Sequence, residues 1–146
     1  MKLYLVRHGD AVPMVNDDER PLSAQGKMEA ENIGRFLKRM VVKPKFIFHS
    51  SLLRSQETAR LIASTLGCPQ CLQERQGLKP EDDTNAWVAE LEAESDHCIL
   101  VGHLPFLPAL ASNFLAGSED DLSFKFPTGS VLCLEREGYG GWFLRH

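Results

Sequence analysis

The stretch Leu3-Tyr4-Leu5-Val6-Arg7-His8-Gly9-Asp10 decides the fold, because a short apolar run ends abruptly in a cation, an imidazole and a glycine. Four consecutive apolar residues are typical of a strand that is buried on both faces of a sheet. Polar residues directly after such a strand emerge at the edge of the sheet, where open α/β folds bind ligands. Gly9 lets the backbone turn and lets another group approach closely. The stretch therefore predicts a strand that delivers Arg7 and His8 to a binding site.

Two later stretches repeat this pattern. The apolar run 46–48 ends in His49-Ser50-Ser51, and the run 98–101 ends in Gly102-His103. A helical stretch follows each of the three strands, and right-handed crossovers make such strands parallel, so their carboxyl ends meet at one edge of the sheet. The side chains that we expect to share a cleft there are Arg7, His8, Ser50, Arg54 and His103.

The rest of the chain predicts a three-layer α/β/α sandwich with a mostly parallel central sheet, in one domain over residues 1–146. Ser23 is the expected N-cap of a first helix that runs to about Met40. Its apolar stripe is predicted to be Met28, Ile33, Phe36, Leu37 and Met40. A second helix is expected to be capped by Ser50 or Ser51 and to end at Gly67, and Arg54 lies in its first turn, where a cation is unfavourable unless an anion lies nearby. Further helices are predicted over 84–93 and from Pro105 to Gly117.

The last quarter of the chain changes character. Residues 122–126 alternate between apolar and polar side chains, and residues 131–135 and 142–144 also have the composition of short strands. We expect these segments to extend one side of the sheet in a partly antiparallel arrangement.

Composition limits the function. The chain is 43% hydrophobic and 25% charged, which is ordinary for a soluble globular protein, and a net charge of -4 argues against nucleic acid or a membrane surface as a partner. Because no signal or membrane-spanning segment is visible, a cytoplasmic location is expected. Four cysteines are then expected to be reduced, and the Cys68-Pro69-Gln70-Cys71 spacing is not expected to be functional.

The predicted cleft suits a phosphoryl group. Two guanidinium groups match phosphate oxygens bidentately, and their charge also favours the neutral imidazole that a nucleophilic His8 requires. Neither paired carboxylates for magnesium nor an HExxH motif for zinc is present in the sequence, so no metal and no cofactor are expected. We therefore expect His8 to form a phosphoramidate that water hydrolyses, with Arg7, Arg54 and His103 stabilising the transferred group.

At this level the chain resembles the histidine phosphatase superfamily, whose fold is like that of phosphoglycerate mutase, and within it the SixA-type phosphohistidine phosphatase branch. The motifs that carry the resemblance are Arg7-His8-Gly9-Asp10, Arg20-Pro21-Leu22-Ser23 with Gly26, the run 50–59, Val101-Gly102-His103-Leu104-Pro105, and the segment 126–131. The resemblance implies His8 as the phosphoacceptor, Arg7 and Arg54 as phosphate ligands and His103 as a second histidine of the phosphate pocket. Ser50, Arg20 and Gly9 are predicted as further substrate contacts. Members that act on phosphate esters place an acidic proton donor after the third strand, and the candidates here are Glu81, Asp82 and Asp83.

The expected substrate is phosphohistidine on a protein partner, such as a histidine phosphotransfer domain or a phosphocarrier. An imidazole can leave already carrying its proton, so a strong general acid is not required. The short interval between Arg54 and His103 also leaves little room for a lid, and an open cleft admits a side chain presented by another protein. Two alternatives stay open, namely a phosphatase of small phosphate monoesters and a module that binds phosphohistidine without turnover.

Overall fold

The computed structural model describes residues 1–138 and 140–145, which form one six-stranded sheet with helices on both faces. The strands are β1 (Lys2–Arg7), β2 (Phe46–His49), β3 (Leu72–Glu74), β4 (Cys98–Gly102), β5 (Val131–Arg136) and β6 (Trp142–Arg145). The helices are α1 (Ala24–Arg39), α2 (Leu53–Leu66), α3 (Asn85–Glu92) and α4 (Phe106–Ala116), with short 3₁₀ turns at Asp17–Glu19 and Pro69–Cys71.

The sheet has the order β3-β2-β4-β1-β5-β6. Pairing is parallel among β3, β2, β4 and β1, and antiparallel between β1 and β5 and between β5 and β6. The prediction of a mostly parallel sheet with antiparallel strands at its C-terminal side is therefore confirmed. The strand ends 7, 49 and 102 consequently lie along a single edge.

Alternating strand residues divide the core between the two faces of the sheet, as the period of two requires. Leu3, Leu5 and Leu100 belong to the cluster that also contains α3 and α4 side chains, whereas Val6, Ile99 and Val101 belong to the cluster with α1 and α2 side chains. The expected three-layer α/β/α architecture is confirmed.

The predicted apolar stripe of α1 is partly wrong. Ile33 and Leu37 are buried, but the side chains of Met28, Phe36 and Met40 are exposed. The buried face instead contains Gly26, Ala30 and Gly34. A Cβ at Gly34 would meet the side chain of Thr65 at 2.8 Å, so small residues on this face let α1 approach α2 closely.

Two other predictions need correction. Residues 122–126 do not form a strand; their alternation instead reflects Phe124 and Phe126, which pack on the core while Ser123 and Lys125 are exposed. The N-cap position of α2 is held by Leu52, not by Ser50 or Ser51. The Ser50 hydroxyl is bonded to His103 and accepts the Leu52 N–H at 3.3 Å. Ser23 caps α1 as predicted, through a bond from the Gly26 N–H.

Candidate active site

The edge formed by the carboxyl ends of β1, β2 and β4 brings the predicted polar residues together. Arg7 lies opposite Gly102 in the parallel pairing, His49 lies opposite Val101, and the His8 N–H donates to the Gly102 carbonyl at 3.1 Å. The next residue after each strand is therefore placed at the same level of the sheet. Three separate stretches of sequence deliver His8, Ser50 and His103 to one site.

His8 is buried, and its surroundings select one protonation state. Its Nδ1 lies 2.7 Å from the Gly9 carbonyl oxygen, which can only accept, so Nδ1 carries the proton and Nε2 of the neutral ring keeps a lone pair. Burial lowers the pKa of His8 to about 4, with the charges of Arg54 and Arg7 acting in the same direction and the Gly9 carbonyl acting against them. The imidazole is therefore neutral at physiological pH.

His103 lies beside His8, with 5.1 Å between the ring centroids. Its Nε2 is 2.6 Å from the Ser50 hydroxyl. Burial, followed by the proximity of His8 and Arg54, lowers the pKa of His103 to about 3, although the Asp17 carboxylate acts in the opposite direction. The Ser50 hydroxyl accepts from the Leu52 N–H and can donate its own proton to Nε2, and in that arrangement the His103 proton lies on Nδ1.

Three nitrogen atoms of this site are buried without a hydrogen-bond partner among the described residues. They are Nε of Arg7, Nε of Arg54 and Nδ1 of His103. Single unpartnered donors also occur elsewhere, as at Nε of Arg136, but three such nitrogens in one site beside two guanidinium charges favour a ligand that supplies acceptors. A tetrahedral oxyanion has several acceptor oxygens, and the two guanidinium charges would balance its own. The arrangement can therefore bind a phosphoryl group beside the free Nε2 of His8.

Asp17, which sequence reasoning missed, binds the predicted phosphate ligand Arg54. Arg54 donates from one terminal nitrogen to the Asp17 carbonyl at 2.8 Å and from the other to the Asp17 carboxylate at 3.1 Å. The sequence offered one indirect signal, because Asn16 is a good helix-capping residue and its side chain does cap the 3₁₀ turn that carries Asp17. The anion expected near Arg54 is thus supplied in part by the protein itself.

Arg20, a predicted substrate contact, is bonded to the loop that contains Asp17. Its guanidinium donates to the carbonyl oxygens of Ala11 and Val12 and to the Asp17 carboxylate at 3.3 Å. Its charge also helps to lower the pKa of His8, after burial and the nearer arginines. Arg20 therefore lies in the outer part of the site, where its hydrogen bonds stabilise the loop that contains Asp17.

Gly9 packs directly against the backbone of Gly26. A Cβ at this position would lie 2.4 Å from the Gly26 carbonyl oxygen, and one at Gly26 would lie 1.9 Å from that of Asp10. The close approach expected at Gly9 is made by the first turn of α1. The Gly9 N–H donates to the Thr58 hydroxyl at 3.1 Å, and that hydroxyl donates to the Arg54 carbonyl at 2.8 Å, so the His8 loop is tied to α2 as well.

Glu29 is a second residue that the sequence did not reveal. Its carboxylate accepts the Asp10 N–H at 2.8 Å and the Thr128 hydroxyl at 3.2 Å. The Asp10 carboxylate in turn accepts the Ser23 hydroxyl at 2.7 Å. These bonds connect the loop after β1 to α1 and to the turn before β5, and they fix the position from which His8 projects.

The acidic candidates at 81–83 make local contacts. The Asp82 carboxylate accepts the Lys79 N–H at 2.8 Å, and the Asp83 carboxylate accepts the Asn85 N–H at 2.9 Å. Asp82 also lines a cavity of about 360 Å³ together with Ser51, the residue after Ser50. A role of Glu81, Asp82 or Asp83 as a proton donor stays a prediction.

The four cysteines form no disulfide. Cys68, Cys71, Cys98 and Cys133 are free thiols, and burial raises the pKa of Cys68 to about 11 and that of Cys98 to about 12. Within residues 1–138 and 140–145, no cluster of three histidine, cysteine or acidic side chains is arranged to hold a metal ion. None of the helices in this part of the chain is long and apolar enough to cross a membrane.

Comparison with known proteins identifies the family. A family model described as the histidine phosphatase superfamily (branch 1) matches residues 3–79. The phosphohistidine phosphatase SixA of Escherichia coli (strain K12) is 25% identical over 147 residues, which cover 96% of this chain and 89% of that protein. An uncharacterized protein of Picosynechococcus sp. (strain PCC 7002) is 32% identical over 150 residues, covering 97% of this chain and 84% of the relative.

The fold comparison agrees with the sequence comparison. The structure of the protein histidine phosphatase SixA complexed with tungstate superposes with a TM-score of 0.91 at 23% identity, covering 100% of this chain and 95% of that one. The resemblance to the SixA-type branch and the phosphoglycerate mutase-like fold class are both confirmed. Because the family match spans more than half of the sequence, the chain belongs to the histidine phosphatase superfamily, and the predicted enzyme class, a phosphatase, is confirmed.

Proposed function

We propose that this chain is a metal-independent phosphohistidine phosphatase in which His8 is the nucleophile and the substrate is phosphohistidine on a protein partner, such as a histidine phosphotransfer domain or a phosphocarrier. The observation that carries the proposal is the set of three buried nitrogens that have no partner within residues 1–138 and 140–145, on Arg7, Arg54 and His103, beside a neutral His8. These groups supply the positive charge and the donors that a transferred phosphoryl group needs.

In the first step, Nε2 of His8 attacks the phosphorus atom, and the bond between phosphorus and the substrate ring nitrogen breaks. The electron pair of that bond stays with the leaving imidazole. The Gly9 carbonyl holds the proton on Nδ1, so the positive charge that develops on the His8 ring lies against a fixed acceptor dipole. Arg7, Arg54 and His103 bind the phosphoryl oxygens, where negative charge accumulates.

In the second step, a water oxygen attacks the phosphorus atom of the phosphoenzyme. The bond between phosphorus and Nε2 breaks, its electron pair returns to the His8 ring, and the proton of the attacking water passes to phosphate or solvent. The same donors stabilise both transition states, since the phosphoryl oxygens remain in the pocket. Ser50 supports this geometry through its bond to Nε2 of His103, while Nδ1 has no partner among the described residues.

Three arguments favour phosphohistidine over phosphate esters. An imidazole leaves without an external acid, and the acidic candidates at 81–83 are bonded to their own loop. The interval between Arg54 and His103 is filled by α2, β3, α3 and β4, and it leaves few residues for a lid. The Escherichia coli relative is a phosphohistidine phosphatase. We place the reaction in the cytoplasm, where the four free thiols would stay reduced.

A substrate screen tests the proposal. Phosphate release is measured from a phosphorylated histidine phosphotransfer domain, a phosphocarrier and a set of sugar phosphates. We expect kcat/KM to be at least tenfold higher for one of the phosphohistidine proteins, and His8→Ala to abolish release from all substrates. His97→Ala is the matched control, because His97 is exposed and its ring accepts the Lys2 N–H, far from His8 in the chain.

Two outcomes would overturn the proposal. Faster turnover of the esters would assign the chain to the small-molecule phosphatases of its superfamily. Tight binding of the phosphorylated protein without phosphate release would make it a phosphohistidine-binding module.

A further inference from the structure

Asp17 is the carboxylate that directly contacts the proposed phosphate clamp. It bonds to Arg54 through its main-chain oxygen and Oδ2, and to Arg20 through Oδ1 at 3.3 Å. Arg54 is only 4% exposed, whereas the Asp17 side chain is 62% exposed. One end of this ion pair is therefore fixed inside the site, and the other faces the solution from which a substrate enters.

Both Asp17 and Arg54 keep hydrogen-bonding capacity for a ligand. Each carboxylate oxygen of Asp17 has one protein donor and a second lone pair that is free to accept. Arg54 donates to Asp17 along one side, and its buried Nε–H has no partner among the described residues. A phosphoryl group on the Nε side and a donor group on the Asp17 carboxylate can therefore be bound simultaneously.

The charge of Asp17 is secured by its neighbours. Slight burial raises the pKa of its carboxyl, but the hydrogen bond from Arg20 and the charge of Arg54 outweigh this and lower the pKa overall. An ionised carboxylate cannot protonate a leaving group, so Asp17 is unsuited to be a general acid. It is suited to accept a hydrogen bond from a leaving group that already carries its proton.

We infer that the Asp17 carboxylate accepts the hydrogen bond of the distal ring N–H of the bound phosphohistidine, and that this contact makes the site selective for phosphoramidates of imidazole over phosphate esters. The inference rests on the proposed function and assigns a specificity residue to it. A phosphate ester of an alcohol has no such N–H, and its leaving oxygen would be repelled by the carboxylate.

The chemistry of the substrate ring explains the benefit. When the distal nitrogen is protonated, the phosphorus–nitrogen bond can break with its electron pair going to the ring, which leaves as neutral imidazole while His8 Nε2 forms the new bond. When the distal nitrogen is unprotonated, the ring would have to leave as an anion. A nearby carboxylate favours the protonated ring and raises its pKa, so it keeps the reactive form populated at higher pH.

The other charged and titratable groups facing this position are Arg7, His8, Arg20, Glu29, Arg54 and His103. The pKa values of His8 and His103, about 4 and about 3, lie well below neutrality, and the arginines stay charged. A fall in activity between pH 6 and 9 therefore does not come from these histidines or arginines, and it reports on the substrate ring.

The test compares the protein with Asp17→Asn, which keeps the main-chain oxygen and an acceptor for Arg54 but removes the charge. The substrates are a phosphorylated histidine phosphotransfer domain and p-nitrophenyl phosphate. We expect kcat/KM for the phosphohistidine protein to fall about tenfold. The alkaline limb of its pH–rate profile should move roughly one pH unit lower. For p-nitrophenyl phosphate, kcat/KM should stay within about twofold or rise. Asp18→Asn, in the same 3₁₀ turn but without a bond to Arg54, should leave both substrates unchanged.

An equal loss for both substrates, or an unshifted alkaline limb, would overturn the inference and leave Asp17 as a positioning residue for Arg54. These results are separate from the proposed function, which the wild-type preference between the two substrates decides. A wild-type enzyme that prefers phosphohistidine together with a silent Asp17→Asn variant would refute the inference alone.

Discussion

Two buried arginines lie at opposite edges of the same sheet, Arg54 at the carboxyl ends of the parallel strands and Arg136 beside the start of β1. They are 4% and 7% exposed. Arg136 donates to the Glu92 carbonyl at 2.7 Å and the Glu94 carbonyl at 2.6 Å, and its guanidinium stacks on the Trp142 ring at 5.0 Å. Both arginines donate to main-chain carbonyls, but Arg54 also binds a carboxylate, whereas Arg136 stacks on an aromatic ring.

The difference follows from the helix end that each arginine meets. Arg136 binds carbonyls at the C-terminus of α3, where a cation is favourable, whereas Arg54 lies in the first turn of α2, where the helix dipole opposes it. Arg54 is also near Arg7, whose pKa is lowered by burial and by the Arg54 charge. The surroundings of Arg136 therefore stabilise its charge, whereas a helix dipole and a second arginine oppose the charge of Arg54.

Replacing Arg54 gives the largest expected effect. In Arg54→Lys the charge remains but the planar fork is lost, so we expect kcat/KM to fall on the order of a hundredfold or more. The free energy of unfolding should change by less than about 1 kcal/mol, because the lost partner, Asp17, is largely exposed. Steady-state kinetics and urea denaturation measure the two quantities. A large loss of stability would show that Arg54 resembles Arg136 after all.

Replacing Arg136 should produce the opposite result. Arg136→Met keeps the length of the side chain but removes the donor to the Glu92 and Glu94 carbonyls at and just beyond the end of α3, so we expect the free energy of unfolding to fall by about 2–4 kcal/mol. The kcat/KM value should stay within about twofold when measured well below the melting temperature. Arg145→Met is the matched control, since Arg145 is half exposed and its pair with Glu135 should contribute less than about 1 kcal/mol. Loss of activity in a stable Arg136→Met protein would contradict the view that Arg136 contributes to stability and not to activity.

Lowering the pH from 7 to 6 is expected to have a smaller effect, on the free energy of unfolding. The pKa values of His8 and His103 are about 4 and about 3 in the folded protein, against 6.5 when unfolded, so the unfolded chain binds more protons between these values. Stability is therefore lost as the pH falls through 6.5, and we expect the two histidines together to lower the free energy of unfolding by about 1 kcal/mol between pH 7 and pH 6. Urea titrations at both pH values measure this difference. If the double variant His8→Gln, His103→Gln keeps the full pH dependence, these histidines are not its source.

The strand ends could be predicted from sequence because apolar runs that stop at polar residues leave a local pattern. This pattern was enough to predict that Arg7, His8, Ser50 and His103 lie together at one edge of the sheet. Asp17 could not be found in this way, since it lies in a loop without periodicity and its partner Arg54 is 37 residues away. Such a pairing depends on how the loop packs over α2, which the spacing of apolar residues does not encode.

The errors in the fold have a common physical origin. Met28 and Phe36 fit a helical stripe, but α1 packs through glycine and alanine because close contact between backbones excludes larger side chains. Phe124 and Phe126 alternate with exposed residues as in a strand, yet this segment packs on the core without pairing with any strand among the described residues. In both cases, tertiary packing overrode a local pattern.

The contact between Gly9 and Gly26 has a consequence for how mutational data on this protein should be interpreted. A complete scan of substitutions scored by activity would mark both glycines as intolerant, alongside His8, although the contact joins two backbones. Selection at position 26, which lies 18 residues along the chain from the proposed nucleophile His8, would then reflect the distance between α1 and the loop after β1. Paired substitutions at 9 and 26 should therefore not rescue each other, because each added Cβ would collide with main-chain atoms, which no substitution removes.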